Sequence, residues 1–153
     1  MAKPVPEGMH TITPQLAIDG CDKAIAWFQK AFGAELRDRA PDPSGKKVWH
    51  ASLRIGNSII FVNDVFPEMG GGAQTASLWL YTDNVDQAWK RAVDAGAKVN
   101  MPLGDMFWGD RLGQLSDPFG NKWNLAQHMK DLTPDEMKKA QDAFVAQMAQ
   151  QKK

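Results

Sequence analysis

The sequence has too little of several residue types to support some common functions. Cys21 is the only cysteine among 153 residues, which excludes an internal disulfide and a zinc site built from several cysteines. Carboxylates flank it at Asp19 and Asp22, and they should raise the thiol pKa, so a catalytic thiolate is disfavoured. Eighteen basic and 18 acidic residues balance each other, so no net charge favours nucleic acid or an anionic membrane as a partner.

Long apolar runs and familiar catalytic motifs are also missing. No apolar run approaches the roughly 18 residues of a membrane span, and the first residues lack the apolar stretch of a signal peptide. We therefore expect a soluble protein of a reducing compartment, the cytoplasm, with no membrane partner. The sequence contains no Ser-His-Asp order, P-loop, dinucleotide fingerprint or His-x-x-x-His pair. It does contain six Trp, eight Met and seven Phe, residues that fill cores and line pockets for flat apolar ligands.

The most informative positive feature is an internal repeat. Asp22-Lys23-Ala24 is matched by Asp86-Gln87-Ala88, and Gly56-Asn57 is matched by Gly120-Asn121, in both cases 64 positions later. A shared long offset indicates a supersecondary unit that is duplicated and packed against its copy. The repeat locates a ligand site between the copies without naming a reaction.

Each copy reads as β-α-β-β-β. In the first, a strand over 11–18 precedes a helix that Asp22 caps and Gly33 ends, and strands follow near 36–39, over 48–55 and over 58–63. In the second, a strand over 77–82 precedes a helix capped by Asp83 or Asn84. A strand then begins near Lys98, a loop spans 102–110, and strands cover 111–116 and 122–127. Residues 67–73 form a flexible linker between the copies.

The tail carries a separate helix signal. Thr133-Pro134-Asp135-Glu136 is a capping box with proline at the first helical position, and an apolar stripe follows it. The predicted fold is therefore α+β, with paired modules in residues 1–128 (about 10–66 and 75–128) and a C-terminal amphipathic helical extension over 129–153. The stripe must pack on the protein's own sheet or across a dimer interface, and the sequence does not choose between them.

Five stretches of the sequence match a known pattern: Thr13 to Leu16, Ala24 to Ala34, His50 to Ser58, Trp108 to Arg111 and Asp117 to Trp123. With these stretches the chain resembles the vicinal oxygen chelate superfamily, which holds glyoxalase I, extradiol dioxygenases and bleomycin-resistance proteins, and most of all its PhnB-like branch. The resemblance implies two sheets, each curled into a half-barrel around a cavity, and it commonly implies a homodimer.

Metal-using members place a His, Gln or Glu on the first and last strand of each unit. Carried over by the resemblance, those positions fall at Thr13, at Ile60 or Phe61, at Ser77 and at Asn124. Hydroxyl, amide and apolar side chains are poor ligands for divalent transition metals. We therefore predict no catalytic metal and no cofactor, and the metal-dependent mechanisms of the superfamily are disfavoured.

His50 is the sharpest catalytic candidate. It lies mid-strand on a polar face with Ser52, opposite the apolar face of Trp49, Ala51 and Leu53. An imidazole that faced a cavity could act as a general base or bind a ligand, whereas the alternative is a half-exposed strand histidine bonded to a neighbour. Its repeat counterpart is Gln114, so the two residues could face each other across the cavity.

Aromatic residues supply the other candidates. Phe107 and Trp108 precede Asp110 and Arg111 on a Gly-containing loop, which suits a lid over a planar ligand, or else the rings plug one end of a sheet. Trp79 and Tyr81 share the parity of Ser77 and should line the cavity, unless they pack on a helix. His10 and His128 are assigned no role. The expected ligand-binding residues are Thr13, Gln15, Ser52, Phe61, Ser77, Trp79, Tyr81, Phe107, Trp108, Arg111, Gln114 and Asn124.

Three functions follow from these residues. The first is metal-independent binding or sequestration of a small apolar or aromatic molecule in an inter-module or dimer cavity. The second is a lyase, isomerase or hydrolase with His50 as general base and an Arg or amide donor that holds the developing anion. The third is a metalloenzyme with displaced ligands, such as His50 with Asp110.

Overall fold

The computed structural model describes residues 2–152 and contains two four-stranded sheets and three α-helices. The first unit comprises β1 (Gln15–Ala17), α1 (Cys21–Phe32), β2 (Glu35–Pro41), β3 (Val48–Ile55) and β4 (Ser58–Asn63). The second comprises β5 (Ser77–Tyr81), α2 (Val85–Asp94), β6 (Lys98–Asp105), β7 (Asp110–Ser116) and β8 (Lys122–His128). A short 3-10 turn, Pro67–Met69, lies between the units, and α3 (Pro134–Gln151) follows β8.

The two sheets have the same topology. Their strand orders are β1-β4-β3-β2 and β5-β8-β7-β6. β1 is parallel to β4 and β5 is parallel to β8, whereas the other neighbouring pairs are antiparallel. The duplication and the α+β class predicted from the repeat are therefore confirmed. The bounds of β3 and β4 also agree with the prediction, because alternation and a Gly-Asn turn define both strands.

Four local predictions are wrong. β1 is shorter than 11–18, and β6 extends through Pro102 into the expected loop, since an edge strand tolerates proline. Asp22 does not cap α1. The Asp64 carboxylate instead accepts hydrogen bonds from the backbone N–H groups of Gly20 and Cys21 (3.1 and 3.0 Å). Trp49 lies at an irregularity in the β2–β3 pairing and is 46% exposed, away from the core.

Helices α1 and α2 join the two units into one core. Trp27 of α1 donates its indole N–H to the carbonyl of Ala95 (2.8 Å), and the guanidinium of Arg91 on α2 donates to the carbonyl of Lys30 (2.8 Å). Phe32 of α1 also lies 4.5 Å from the ring of Trp123 on β8. Each sheet thus has one helix-covered face, and the covered faces share this helix layer. The helix-free faces of the two sheets consequently lie on opposite sides of the helices.

The Asp-Pro-Phe-Gly-Asn turn between β7 and β8 is built around a buried carboxylate. Asp117 accepts hydrogen bonds from the backbone N–H groups of Phe119 and Asn121 (both 2.9 Å). It also accepts from the side-chain amide of Asn121 (3.1 Å) and the indole N–H of Trp123 (2.9 Å). Asn121 in turn accepts from the backbone N–H of Ala76 (3.0 Å) and so fixes the start of β5. This motif therefore has a structural role.

The C-terminal helix forms as predicted but packs lightly. Thr133 and Glu136 make both hydrogen bonds of the capping box, with Pro134 at the first position. No described residue of α3 is buried, and Phe144 contacts Phe107, with ring centroids 5.0 Å apart. No helix within residues 2–152 has both the length and the apolar character needed to cross a membrane.

Candidate functional site

The helix-free face of the second sheet carries two half-exposed aromatic rings. Side chains alternate along β5, so Ser77, Trp79 and Tyr81 project from this face. Trp79 and Tyr81 are 50% and 60% exposed, and their rings stack with centroids 6.0 Å apart and planes 29° apart. We call this pair the aromatic platform. It presents the apolar ring faces that a planar ligand stacks against.

A row of amide and hydroxyl groups lies beside the platform. Asn124 pairs with Trp79 across β5 and β8, and with Gln114 across β7 and β8. The side-chain amide of Gln114 donates to the side-chain oxygen of Asn124 (3.1 Å). The side-chain nitrogen of Asn124 lies 3.4 Å from the hydroxyl oxygen of Ser77. Asn124 is only 6% exposed and is bonded within the row, so Gln114 and Ser77 are the members that offer neutral donors and acceptors for the polar edge of a ligand.

Asp110 lies beside the platform on the same face of the sheet and is only 4% exposed. Its carboxylate accepts hydrogen bonds from the hydroxyl of Tyr81 (3.1 Å), the indole N–H of Trp108 (3.0 Å) and Nδ1 of His128 (2.8 Å). Burial favours the neutral acid, but the hydrogen bonds from His128, Trp108 and Tyr81 outweigh burial and hold the pKa of Asp110 below its ordinary value. Asp110 is therefore an anion that the protein itself satisfies.

His128 joins Asp110 to the segment that precedes α3. Its second nitrogen, Nε2, lies 2.7 Å from the carboxylate of Asp131. The hydrogen bonds to Asp131 and then to Asp110 raise the pKa of His128, which favours an imidazolium with both N–H groups in use. The pKa of Tyr81 is also raised, by desolvation and by its bond to Asp110.

The helix-free face of the first sheet carries the other predicted site residues. Gln15, Ser52 and Phe61 are register partners on neighbouring strands of this face, and the imidazole of His50 lies 4.8 Å from the ring of Phe61. The hydroxyl of Ser52 is 3.4 Å from Nε2 of His50, while the nearest carboxylate, Asp38, is 3.6 Å away. The distance of 3.6 Å is longer than a hydrogen bond, so Asp38 is not hydrogen-bonded to His50.

A cleft of about 1010 Å³ opens between β5 on one side and, on the other, the segment that precedes β1 and the turn from β3 to β4. Of the predicted residues, Thr13, Trp79 and Tyr81 line it, and Phe32 and Trp123 line it on the side of the helix layer. Backbone groups on the outer edges of β1 and β5 have no strand partner in the described protomer. Such edges are templates for pairing with another chain.

The structure separates some residues that the repeat suggested would meet. His50 and Gln114 lie on different sheets, with the helix layer between those sheets. Arg111 forms ion pairs with Asp86 of α2 and with Asp105, away from the platform. Phe107 packs on α3 and lies edge-on to Trp108, with centroids 5.1 Å apart.

Burial, with Asp64 and Asp22 nearby, raises the pKa of Cys21 to about 12, which leaves the thiol unreactive.

The positions that the family resemblance assigns to metal ligands carry side chains that do not fit a transition metal. Asn124 directs its amide groups to Gln114, Ser77 and the carbonyl of Leu78, so its hydrogen-bonding capacity is in use. Thr13 and Phe61 offer a hydroxyl and an apolar ring, which are poor ligands for transition metals. Within residues 2–152 no group of three or more His, Cys, Asp or Glu side chains is arranged to hold an ion.

His128 is the functional candidate that sequence reasoning missed. The β7–β8 hairpin is centred on Phe119, so residues equally distant from Phe119 face each other, and this rule places His128 opposite Asp110. The turn motif alone supplies that register. The sequence therefore contained a signal for the pair, although not for its burial.

The sequence matches the family described as the Glyoxalase/Bleomycin resistance protein/Dioxygenase superfamily over residues 8–125. The uncharacterized protein Rv0887c of Mycobacterium tuberculosis is 37% identical over 138 residues, which span 84% of this chain and 81% of that one. TioX of Micromonospora sp. ML1 has a similar structure, with 27% identity, a TM-score of 0.67, and coverage of 78% of this chain and 99% of TioX. TnmS3, an antibiotic binding protein of Streptomyces sp. CB03234, has 26% identity, a TM-score of 0.58, and coverage of 78% and 95%.

Proposed function

The chain belongs to the glyoxalase/bleomycin resistance protein/dioxygenase superfamily, and on that basis we propose that it binds a small, planar, largely apolar molecule without a metal ion. The proposed site lies between the helix-free face of the second sheet in one protomer and that of the first sheet in a second copy of the chain. A homodimer then holds two such sites. The PhnB-like branch stays a prediction.

The observation that carries the proposal is the aromatic platform beside neutral polar groups. Two stacked rings left 50% and 60% exposed are costly on a free surface, because burying an aromatic ring is strongly favourable. The adjoining Gln114 and Asn124 carry no charge, which favours a neutral polar edge over an ionic group. The likeness to TnmS3, itself an antibiotic binding protein, supports a role in binding.

Surface area supports a second copy as the opposite wall. The protomer exposes 10073 Å², whereas a compact monomer of 16.9 kDa exposes roughly 7,700 Å² by the size scaling of folded proteins. The surplus is roughly 2,400 Å² per protomer and roughly 4,800 Å² for two, which is within the total of about 2,000–5,000 Å² that obligate dimers bury, and the unburied α3 contributes part of it. The free edge of β5 and the 84% exposed Ile12 lie at the same cleft and are further surface for such an interface.

Acridine, a neutral planar probe, tests this proposal. We expect it to quench tryptophan fluorescence with a dissociation constant on the order of 10–100 µM, a range consistent with the efficiency of small ligands. Binding should be unchanged by EDTA. The non-planar 1-adamantanol, similar in size and apolar character, should bind at least about tenfold more weakly. Equal affinity for both compounds, no binding of acridine, or loss of binding with EDTA would contradict the proposal.

A further inference from the structure

Asp110 is too deeply placed to contact a ligand. Carboxylates are almost never this buried unless they are paired, and Asp110 is 4% exposed. Protein groups already supply three donors to it, two on Oδ2 and one on Oδ1. Asp110 can therefore affect a bound ligand only through the side chains that donate hydrogen bonds to it.

Those groups come from three separate elements. Tyr81 belongs to β5, Trp108 to the loop between β6 and β7, and His128 to the end of β8. Hydrogen bonds to an ionised carboxylate are roughly twice as strong as those between neutral groups. Each of the three bonds to Asp110 therefore fixes the position of the polar atom of one ring side chain. The ring of Tyr81 is consequently tethered at its hydroxyl while its face stays half-exposed.

His128 holds the carboxylate from the other side. Its imidazole lies between Asp110 (2.8 Å) and Asp131 (2.7 Å). The side chain of Asp131 is fully exposed and bonds neither aromatic ring. On adjoining elements, Arg111 of β7 is paired with Asp105 and Asp86. Lys130, on the same segment as Asp131, and Glu136 and Lys139 of α3 line a neighbouring depression with Phe107.

We propose that Asp110 and His128 are positioning residues of the binding site, which hold Tyr81 and Trp108 in the arrangement that receives a planar ligand. The inference rests on the proposed function, since Tyr81 is one of the two rings of the aromatic platform and Trp108 shares its anchor on Asp110. Rings that are fixed before binding lose less conformational freedom when the ligand arrives. For two ring side chains this is worth about tenfold in affinity.

The decisive variants are Asp110→Ala and Asp110→Asn. Alanine leaves the hydroxyl of Tyr81 and the indole N–H of Trp108 without their shared acceptor, so acridine should bind about tenfold more weakly. Asparagine can keep an oxygen toward both rings and donate its amide to a neutral His128. It should recover most of the affinity, while the pKa of His128, followed by NMR, falls because its buried charge partner is lost.

Asp131→Asn is the matched control. It removes a charge that also contacts His128 but bonds neither ring. We expect it to lower the pKa of His128 and leave the affinity for acridine within about twofold of the native value. The indole N–H resonance of Trp108 should shift in Asp110→Ala and stay in place in Asp131→Asn.

Three results would overturn the assignment or its premise. Native affinity in Asp110→Ala, with binding still lost in Trp79→Ala, would show that Asp110 does not position the platform while the proposed function stands. Native affinity in Trp79→Ala would contradict the proposed function itself. If Asp110→Ala does not fold, Tyr81→Phe replaces it. That variant keeps the ring and loses the tether, and an unchanged affinity there would refute the positioning role.

Discussion

Replacing Asp117 by alanine should lower the free energy of unfolding by about 3–5 kcal/mol. The carboxylate is buried and accepts four hydrogen bonds, from Phe119, from both nitrogens of Asn121 and from the indole of Trp123. Removing it leaves these donors unsatisfied in the interior, and each unsatisfied buried group costs about 1–3 kcal/mol. Urea denaturation measures the loss, and the melting temperature should fall by on the order of 10 °C.

Asp42→Ala is the control for that experiment. Asp42 also organises a turn, where it accepts hydrogen bonds from Ser44 (2.8 Å) and from the backbone of Lys47 (3.0 Å), but these groups are exposed. Water replaces the lost bonds there, so the cost should stay below about 1 kcal/mol. Equal costs for the two variants would mean that the β7–β8 turn is not a buried anchor of the second sheet.

Trp79→Ala should weaken acridine binding by about 10- to 100-fold. The substitution removes one of the two rings of the aromatic platform, and a stacked aromatic contact at the centre of a site accounts for a large share of its binding energy. Because Trp79 is 50% exposed and carries little of the core, the free energy of unfolding should change by less than about 1 kcal/mol. Calorimetric titration and urea denaturation measure the two quantities separately.

Trp49→Ala is the matched variant for Trp79. Trp49 has almost the same exposure, 46%, but it lies near Phe66, with ring centroids 6.5 Å apart, and off the platform. Its loss should leave the affinity for acridine unchanged. An equal loss of affinity in both variants would show that the probe binds exposed tryptophans without regard to their place in the fold.

The sequence predicted those features of the fold that depend on neighbouring residues. The alternation in β3 and β4, the Gly33 end of α1, the Asn84 cap of α2 and the capping box of α3 are all local signals. The repeat offset added the one long-range feature, the shared topology of the two sheets. Each of these predictions follows from backbone geometry that a short segment fixes by itself.

Predictions that depended on distant partners failed. The cap of α1 comes from Asp64, 44 positions after Gly20, so the more local candidate Asp22 was chosen and instead pairs with Arg39. β6 continues through Pro102 because it is an edge strand, which its own residues do not reveal.

The candidate site was predicted in part. Parity placed Trp79 and Tyr81 on the face of Ser77, because alternation in a strand is local, and the structure shows Asn124 and Gln114 on that same face. The sequence did not predict that these residues lie on a different sheet face from His50, with the helices in between. The packing of α1 on α2 determines the relative orientation of the two sheets, and no local pattern reports it. Burial decides the role of Asp110, which anchors Tyr81, Trp108 and His128, and local sequence signals do not reveal that burial.

A mixing experiment tests most directly whether the binding site is shared between two copies of the chain. Phe61→Ala alters the wall formed by the first sheet and Trp79→Ala the wall formed by the second, so each homodimer should bind acridine weakly. In a mixed dimer, one site combines two native walls and the other combines two altered walls. We predict that dissociating and reassociating an equal mixture restores native affinity at one site per mixed dimer. A mixture that binds no better than either variant alone, or a chain that sediments as a monomer, would contradict the account.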